Sequence, residues 1–313
     1  MTTPRTGTAG CSTTPRSPNR TRAHWWLLTP AGVVMLTVTV APIAFLVCTS
    51  FTDYSRRSLF TGAYRTVGLQ QYTELLTDAA FWHSLARTVL FTAAMVAGSI
   101  AVGTYVAQLM TRVGRTLRTV LTVVMICAWA MPTVASSLVW NWLFQPGYGV
   151  VNWLLTQLRV FGDMTSTDWS NDPALAYLSI WLLVVWQAVP FIALTLYAAL
   201  TQLPAERQEA ARLDGAGEWR LWWNITLPFL RPTLMLVTLM SVIWDFNVFN
   251  QIWLVSAGGP DDATTTLGIF AYRTAFVGFH IGQGAALSVV TTAILVVVSA
   301  FYIRGLLRSG EDL

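Results

Sequence analysis

The sequence predicts an all-α membrane protein that crosses the bilayer six times. Of its 313 residues, 54% are hydrophobic and 11% are charged, whereas a soluble globular domain carries about 25% charged residues. Six apolar runs are each close to or above the ~20 residues that a helix needs to cross the hydrocarbon core. Because the backbone in lipid must satisfy its own hydrogen bonds, these runs are predicted to be helices.

The runs divide the chain into a short tail and one membrane domain. Residues 1–24 are rich in Thr, Pro, Ser and Arg and have no apolar period, which predicts a disordered tail. A transmembrane domain is predicted over 25–308, with 309–313 as the C-terminus. Pro42, Pro132 and Pro190 lie inside runs and are expected to kink them. The predicted spans are about 25–51, 88–110, 119–144, 174–203, 232–257 and 284–303.

The arginines orient this topology. Arginine supplies all 19 basic side chains, and most arginines lie in the tail, in the second-to-third and fourth-to-fifth connections and at the C-terminal end. Positive charge accumulates on the cytoplasmic side of membrane proteins, so both termini are predicted to be cytoplasmic. The connections near 52–87, 145–173 and 258–283 are then predicted to face outward.

Composition also excludes several kinds of chemistry. A chain without lysine can form neither a Walker A phosphate loop nor a Schiff base. Its three cysteines and three histidines show no metal-ligand spacing, and no hydrolase motif is present. A polytopic membrane enzyme is one alternative class of protein, but it would need ionisable residues clustered at one membrane face, and the sequence shows no such cluster. A secondary transporter, which usually shows repeated broken helices, is the other alternative from a different class.

The segment between spans four and five carries the most information. Residues 204–214 are predicted to form a short helix with a proline at its start and acidic residues in its first half, which suit the helix dipole. Gly215 is predicted to end that helix, since glycine readily adopts the left-handed conformation needed there. The chain then returns toward the membrane, reaching Pro228. By itself this pattern describes an interfacial amphipathic helix.

The same segment resembles the EAA loop of permease subunits of ATP-binding-cassette (ABC) importers. The departure from the usual pattern is Trp222, where phenylalanine is common. In that family the loop docks on a separate ATPase subunit, so the resemblance implies a coupling loop over 204–228. The matching residues are Glu209, Ala210, Ala211, Asp214, Gly215, Ala216, Ile225, Leu227 and Pro228.

Two outward segments narrow the resemblance to the maltose and glycerol-phosphate branch of type I importers. They are Gly68-Leu69-Gln70-Gln71-Tyr72 and Leu254-Val255-Ser256-Ala257-Gly258-Gly259-Pro260. The resemblance covers almost the whole chain after the tail. It implies the type I importer permease fold, with six spans, in a bacterial cytoplasmic (inner) membrane.

The resemblance also implies a set of partners and a solute class. The partners are a second permease subunit, usually non-identical, two ATP-binding subunits and an extracytoplasmic solute-binding protein. The chain would then be non-catalytic and hold no cofactor, with ATP and Mg bound by the ATPase subunits. Independently of the resemblance, the arginines lie at the ends of apolar runs rather than on one polar face, so no nucleic-acid binding is expected. The solute is expected to be a sugar or oligosaccharide; a glycerophosphodiester or another polyol-like solute is the alternative.

One acidic residue inside a span suggests where the solute passes. Asp245 lies at the middle of the run 232–257, and acidic residues at such depth normally face a bundle interior or a wet cavity. Gln187 lies at a similar depth in the run 174–203. An alternative role for Asp245 is a structural hydrogen bond to a neighbouring helix. In the resembling permeases these two helices hold the solute, and the pattern carries over to Gln187, Ala188, Phe191, Ser241 and Asp245. It departs at Asp245, where an amide is more usual, and at the apolar Val248.

Overall fold

The computed structural model describes residues 29–159 and 161–311. The predicted tail 1–24 lies outside the described residues. In chain order the described helices are α1 Thr29–Thr49, α2 Arg56–Thr61, α3 Gln70–Thr77, α4 Ala79–Arg112, α5 Arg115–Trp129, α6 Thr133–Leu143 and α7 Val150–Gln157. They continue with α8 Pro173–Leu200, α9 Ala205–Leu213, α10 Glu218–Phe246, α11 Asn250–Val255, α12 Leu267–Val277 and α13 Ile281–Glu311.

Five of these helices, α1, α4, α8, α10 and α13, are long and apolar enough to cross a bilayer. The pair α5 and α6 makes a sixth crossing if its two halves count as one span. Among the described residues, 29–48 belong to one unit and those from Thr49 onwards to another. The first unit holds almost all of α1, whose apolar side chains are largely exposed, as at Phe45. The second unit holds the remaining helices.

The third span is broken, which corrects the prediction of one helix over 119–144. Helices α5 and α6 meet at an angle of 100° across the residues between Trp129 and Thr133. Pro132 explains the break, because proline lacks a backbone N–H and disfavours helical geometry in the residue before it. The C-terminal half of this span, α6, therefore runs in a different direction from the N-terminal half, α5.

The fifth span is also broken, which corrects the prediction of one helix over 232–257. Helix α10 begins earlier, at Glu218, and ends at Phe246, so Asp245 lies in its last turn rather than at mid-helix. Asn247 caps this end: its Nδ2 donates to the Ile243 carbonyl at 2.9 Å. Asparagine competes with the helix for backbone hydrogen bonds, which favours termination at this point.

Helices α4 and α8 pack closely because glycines on α4 accept large side chains from α8. A Cβ atom on Gly98 would lie 2.3 Å from Cζ2 of Trp181, and one on Gly103 would lie 2.6 Å from Cγ2 of Ile192. The Trp181 indole also donates to the Ala94 carbonyl at 2.8 Å. Helix α10 packs against α4, α8 and α13. The long helices α4, α8, α10 and α13 are therefore packed together through α10.

Candidate functional site

A small cavity lies where the two broken spans meet α8. Its volume is about 180 Å³. One wall comes from the break between α5 and α6, a second from α8, and a third from the break between α10 and α11. The lining residues are Ala128, Trp129, Met131, Thr133, Val184, Gln187, Ala188, Trp244, Asp245, Val248 and Gln251. At each break the helix is interrupted, and polar and aromatic side chains next to the break line the cavity.

Gln187 is held in one orientation by two side chains. Its Nε2 donates to the hydroxyl of Ser136 on α6, and its Oε1 accepts from Nε2 of Gln251 on α11 at 2.8 Å. The Ser136 hydroxyl in turn donates to the Thr133 carbonyl at 3.0 Å. This chain of hydrogen bonds links α8 to α6 and α11, the C-terminal parts of the two broken spans. A linked chain of this kind polarises its members and strengthens each bond.

Asp245 brings an unpaired carboxylate oxygen to the cavity. The residue is 6% exposed, and its Oδ2 has no hydrogen-bond partner among the described residues. Its main-chain carbonyl accepts a long hydrogen bond from the Thr92 hydroxyl of α4 at 3.4 Å. An unpaired buried carboxylate is costly, and a hydroxyl group entering the cavity would satisfy it. The structural alternative, a side-chain hydrogen bond to a neighbouring helix, is not present in the described residues.

The structure brings together three of the five residues predicted for the solute path. Gln187, Ala188 and Asp245 line the cavity. Ser241 is 2% exposed and is not among the lining residues. Phe191 lies behind the wall and supports it: its ring stacks on Trp129 with centroids 6.1 Å apart.

The tryptophans themselves form the aromatic wall of the cavity. Trp244 meets Phe191 edge-on, with centroids 5.1 Å apart, and both Trp129 and Trp244 reach the cavity. The aromatic side chains that line the cavity are thus Trp129 and Trp244 rather than Phe191. Flat aromatic faces suit the apolar face of a sugar ring, and an indole N–H adds a hydrogen-bond donor.

Sequence reasoning missed Gln251 and Ser136. Gln251 follows Asp245 by six residues, which would place it on a different face of a continuous helix. The break at Asn247 returns it to the cavity. The available signal was a group of amides, Asn247, Asn250 and Gln251, inside an otherwise apolar run. Ser136 had no signal beyond its position shortly after Pro132.

The segment predicted to be a coupling loop forms a short exposed helix, α9, and a tight turn. Gly215 has φ +81°, and its N–H donates to the Arg212 carbonyl at 3.0 Å. The Ala216 N–H donates to the Ala211 carbonyl at 2.9 Å. A residue with a Cβ is strained at such a φ, so the turn requires glycine.

The surface of α9 is unusually open for a helix that contains apolar residues. The helix buries no side chain. Glu209, Ala210 and Asp214 are exposed, whereas Ala211 and Ala216 are partly exposed. Leu213, which the sequence reasoning did not single out, is 89% exposed. A single exposed leucine is normal on a protein surface, so the distinctive feature of α9 is that none of its side chains is buried in the rest of the described chain.

No group of three or more His, Cys, Asp or Glu side chains that could hold a metal ion occurs in residues 29–159 and 161–311. What these residues do provide is a polar cavity between broken spans and an exposed helix that follows the C-terminal end of α8. Together with the long apolar helices, they are typical of a polytopic membrane transport protein.

Comparison with known proteins identifies the family. Residues 99–309 match the family described as "Binding-protein-dependent transport system inner membrane component". The chain belongs to this family and is the permease component of an ABC importer.

Relatives and a solved structure are consistent with this assignment. The chain is 38% identical to the diacetylchitobiose uptake system permease protein DasB of Streptomyces coelicolor, over 98% of this chain and 93% of that protein. It is 32% identical to the sulfoquinovosyl glycerol transport system permease protein SmoG of Agrobacterium fabrum, over 89% of this chain and 88% of that protein. A chain of a bacterial alginate ABC transporter, solved with an alginate-bound periplasmic protein, has the same fold. Its TM-score is 0.75 at 18% identity, over 90% of this chain and 93% of that chain.

Proposed function

We propose that this chain forms half of the translocation path for a neutral sugar or oligosaccharide and is driven by a separate ATPase subunit. A second, non-identical permease chain would complete the path. Two ATPase subunits would bind ATP and Mg at the cytoplasmic face, and an extracytoplasmic binding protein would deliver the solute. Both termini would be cytoplasmic.

The exposed helix α9 is the observation that carries the coupling role. A nine-residue helix that buries no side chain gains little stability from this chain alone. Its leucine is left almost fully exposed, and its small residues allow close approach of another surface. Docking of α9 on an ATPase subunit accounts for both features, and it agrees with the EAA pattern at Glu209, Ala210, Ala211, Asp214, Gly215 and Ala216.

The cavity supports the choice of solute. Its polar groups include the Asp245 carboxylate and the amides of Gln187 and Gln251, which accept hydrogen bonds from hydroxyl groups. Trp129 and Trp244 add flat apolar faces. An anionic solute such as a phosphodiester would be repelled by Asp245, so a neutral polyhydroxylated solute suits the site better. The relatives named for diacetylchitobiose and sulfoquinovosyl glycerol both handle sugar derivatives by their names.

The volume of about 180 Å³ within one chain is small for an oligosaccharide. A second permease chain facing the same space would enlarge it. The small cavity and the single α9 in this chain both support the proposed half-path role.

The coupling role is tested by purifying the tagged chain from its own membranes and measuring Mg-dependent ATP hydrolysis in the purified sample. The parental chain should bring an active ATPase with it. Glu209→Lys should lose most of that activity, because the side chain lies on the exposed face of α9. The matched control is Glu74→Lys, which makes the same charge change on α3, the helix just before α4 and far from α9 in sequence. If Glu209→Lys retains the parental ATPase activity, α9 does not dock an ATPase subunit.

A further inference from the structure

Glu218 links two arginines that belong to different helices. Its Oε1 accepts from the Arg212 guanidinium at 2.9 Å, and its Oε2 accepts from the Arg112 guanidinium at 3.1 Å. Arg112 lies in the last turn of α4 and Arg212 in the last turn of α9, while Glu218 is the first residue of α10. One carboxylate thus joins the ends of three helices.

This junction is important because α9 has few other attachments. The helix buries no side chain, and its main packing partner in the described chain is the first turn of α10. Its covalent connections are two short turns, at residues 201–204 and 214–217. The two ion pairs therefore form a non-covalent connection between α9 and the inner end of α4.

Helix α4 extends from this junction to the solute cavity. Thr92, whose hydroxyl donates to the Asp245 carbonyl, precedes Arg112 by twenty residues, or about 30 Å along a helix. Between them, Gly98 and Gly103 fit closely against Trp181 and Ile192 of α8. Close packing of this kind resists compression and transmits strain, so α4 offers a physical connection between the junction and the residues around Asp245.

We propose that Glu218 is a positioning residue that transmits movement of α9 to α4, in parallel with the covalent route through α10. This inference rests on the proposed docking of α9 to an ATPase subunit. Through Arg212 the carboxylate follows the coupling helix, and through Arg112 it moves the second span. Removal of the carboxylate leaves α9 attached by the chain alone, so part of its movement no longer reaches α4.

The size of the effect follows from the exposure of the pairs. The three side chains are 54–67% exposed, and exposed ion pairs are individually weak and screened by salt. Loss of the junction is therefore expected to reduce solute import per ATP hydrolysed by about two- to fivefold rather than to abolish it. Raising the ionic strength should lower the same ratio in the parental protein and have less effect on the variant.

The test uses the complete importer in proteoliposomes, with Glu218→Gln, Arg112→Gln and the double variant. Each sample is assayed for ATPase subunits retained, ATP hydrolysed and solute imported. The control is Arg115→Gln, which removes an exposed arginine three residues from Arg112 that has no ion pair in the described structure. Both single variants should retain the ATPase and import less solute per ATP, and the double variant should be no worse than either. Arg115→Gln should match the parent.

Several outcomes would overturn the proposal. Parental import per ATP in Glu218→Gln would show that the junction transmits nothing. Loss of the ATPase subunits from Glu218→Gln would make Glu218 a docking residue instead. Additive defects in the double variant would mean that Arg112 and Glu218 act separately. Failure of the docking role itself is a different result, seen as full ATPase retention by Glu209→Lys.

Discussion

Replacing Asp245 with asparagine should separate solute recognition from stability. The change keeps the shape of the side chain and removes its charge. In the structure the Oδ2 atom is buried without a partner, so the carboxylate has a desolvation cost that no protein donor repays. Acidic residues inside spans are costly to insert, and the buried Oδ2 shows that part of this cost applies to Asp245 although it lies in the last turn of α10. The variant should therefore be at least as stable as the parent, with a thermal unfolding midpoint that is no lower.

The affinity of Asp245→Asn for a solute should depend on the charge of that solute. Hydrogen bonds to a charged group contribute about 1.5–3 kcal/mol and neutral ones about 0.5–1.5 kcal/mol. The difference of about 1 kcal/mol corresponds to about fivefold in a dissociation constant. A neutral disaccharide that donates a hydroxyl to Asp245 should thus bind the variant about fivefold more weakly. A disaccharide containing a uronic acid should bind the variant more tightly, because the repulsion between carboxylates is gone.

Calorimetric titration of the purified importer complex with both disaccharides measures these changes directly. Asp261→Asn is the control, since it makes the same chemical change on an exposed turn. The reasoning is refuted if Asp245→Asn binds both ligands within twofold of the parent. It is also refuted if the variant loses stability, because Asp245 would then be holding the fold together.

Two further predictions concern the frame and the orientation. Gly98→Ala should lower the free energy of unfolding by about 1–3 kcal/mol, since its Cβ would overlap Trp181. Gly268→Ala, with nothing within 4 Å of its Cβ, should instead raise it by about 0.5–1 kcal/mol; thermal unfolding in detergent compares the two, and equal effects would contradict the packing at Gly98. A membrane-impermeant thiol reagent should label a cysteine at residue 166 in intact cells and not one at residue 309, and the reverse pattern would overturn the predicted orientation.

The sequence by itself was sufficient for the fold class and for the position of the short helix α9. Long uncharged runs have few alternatives to helices in lipid, because each backbone group must find a partner within the segment. The helix α9 and its glycine turn are determined by residues that are adjacent in sequence, so their pattern could be recognised without the tertiary structure. Proline at position 132 indicated a distortion, although not the angle of 100° that separates α5 from α6.

The composition of the cavity was decided by tertiary structure. Asp245 and Gln187 were predicted from their depth, but Gln251 was assigned to no site because a continuous helix would turn it away from Asp245. Only the break at Asn247, together with the packing of α11 on α6 and α8, brings its amide to Gln187. A helix break changes the direction of every side chain that follows it. The partners of those side chains are then set by the helices they meet, which local sequence does not specify.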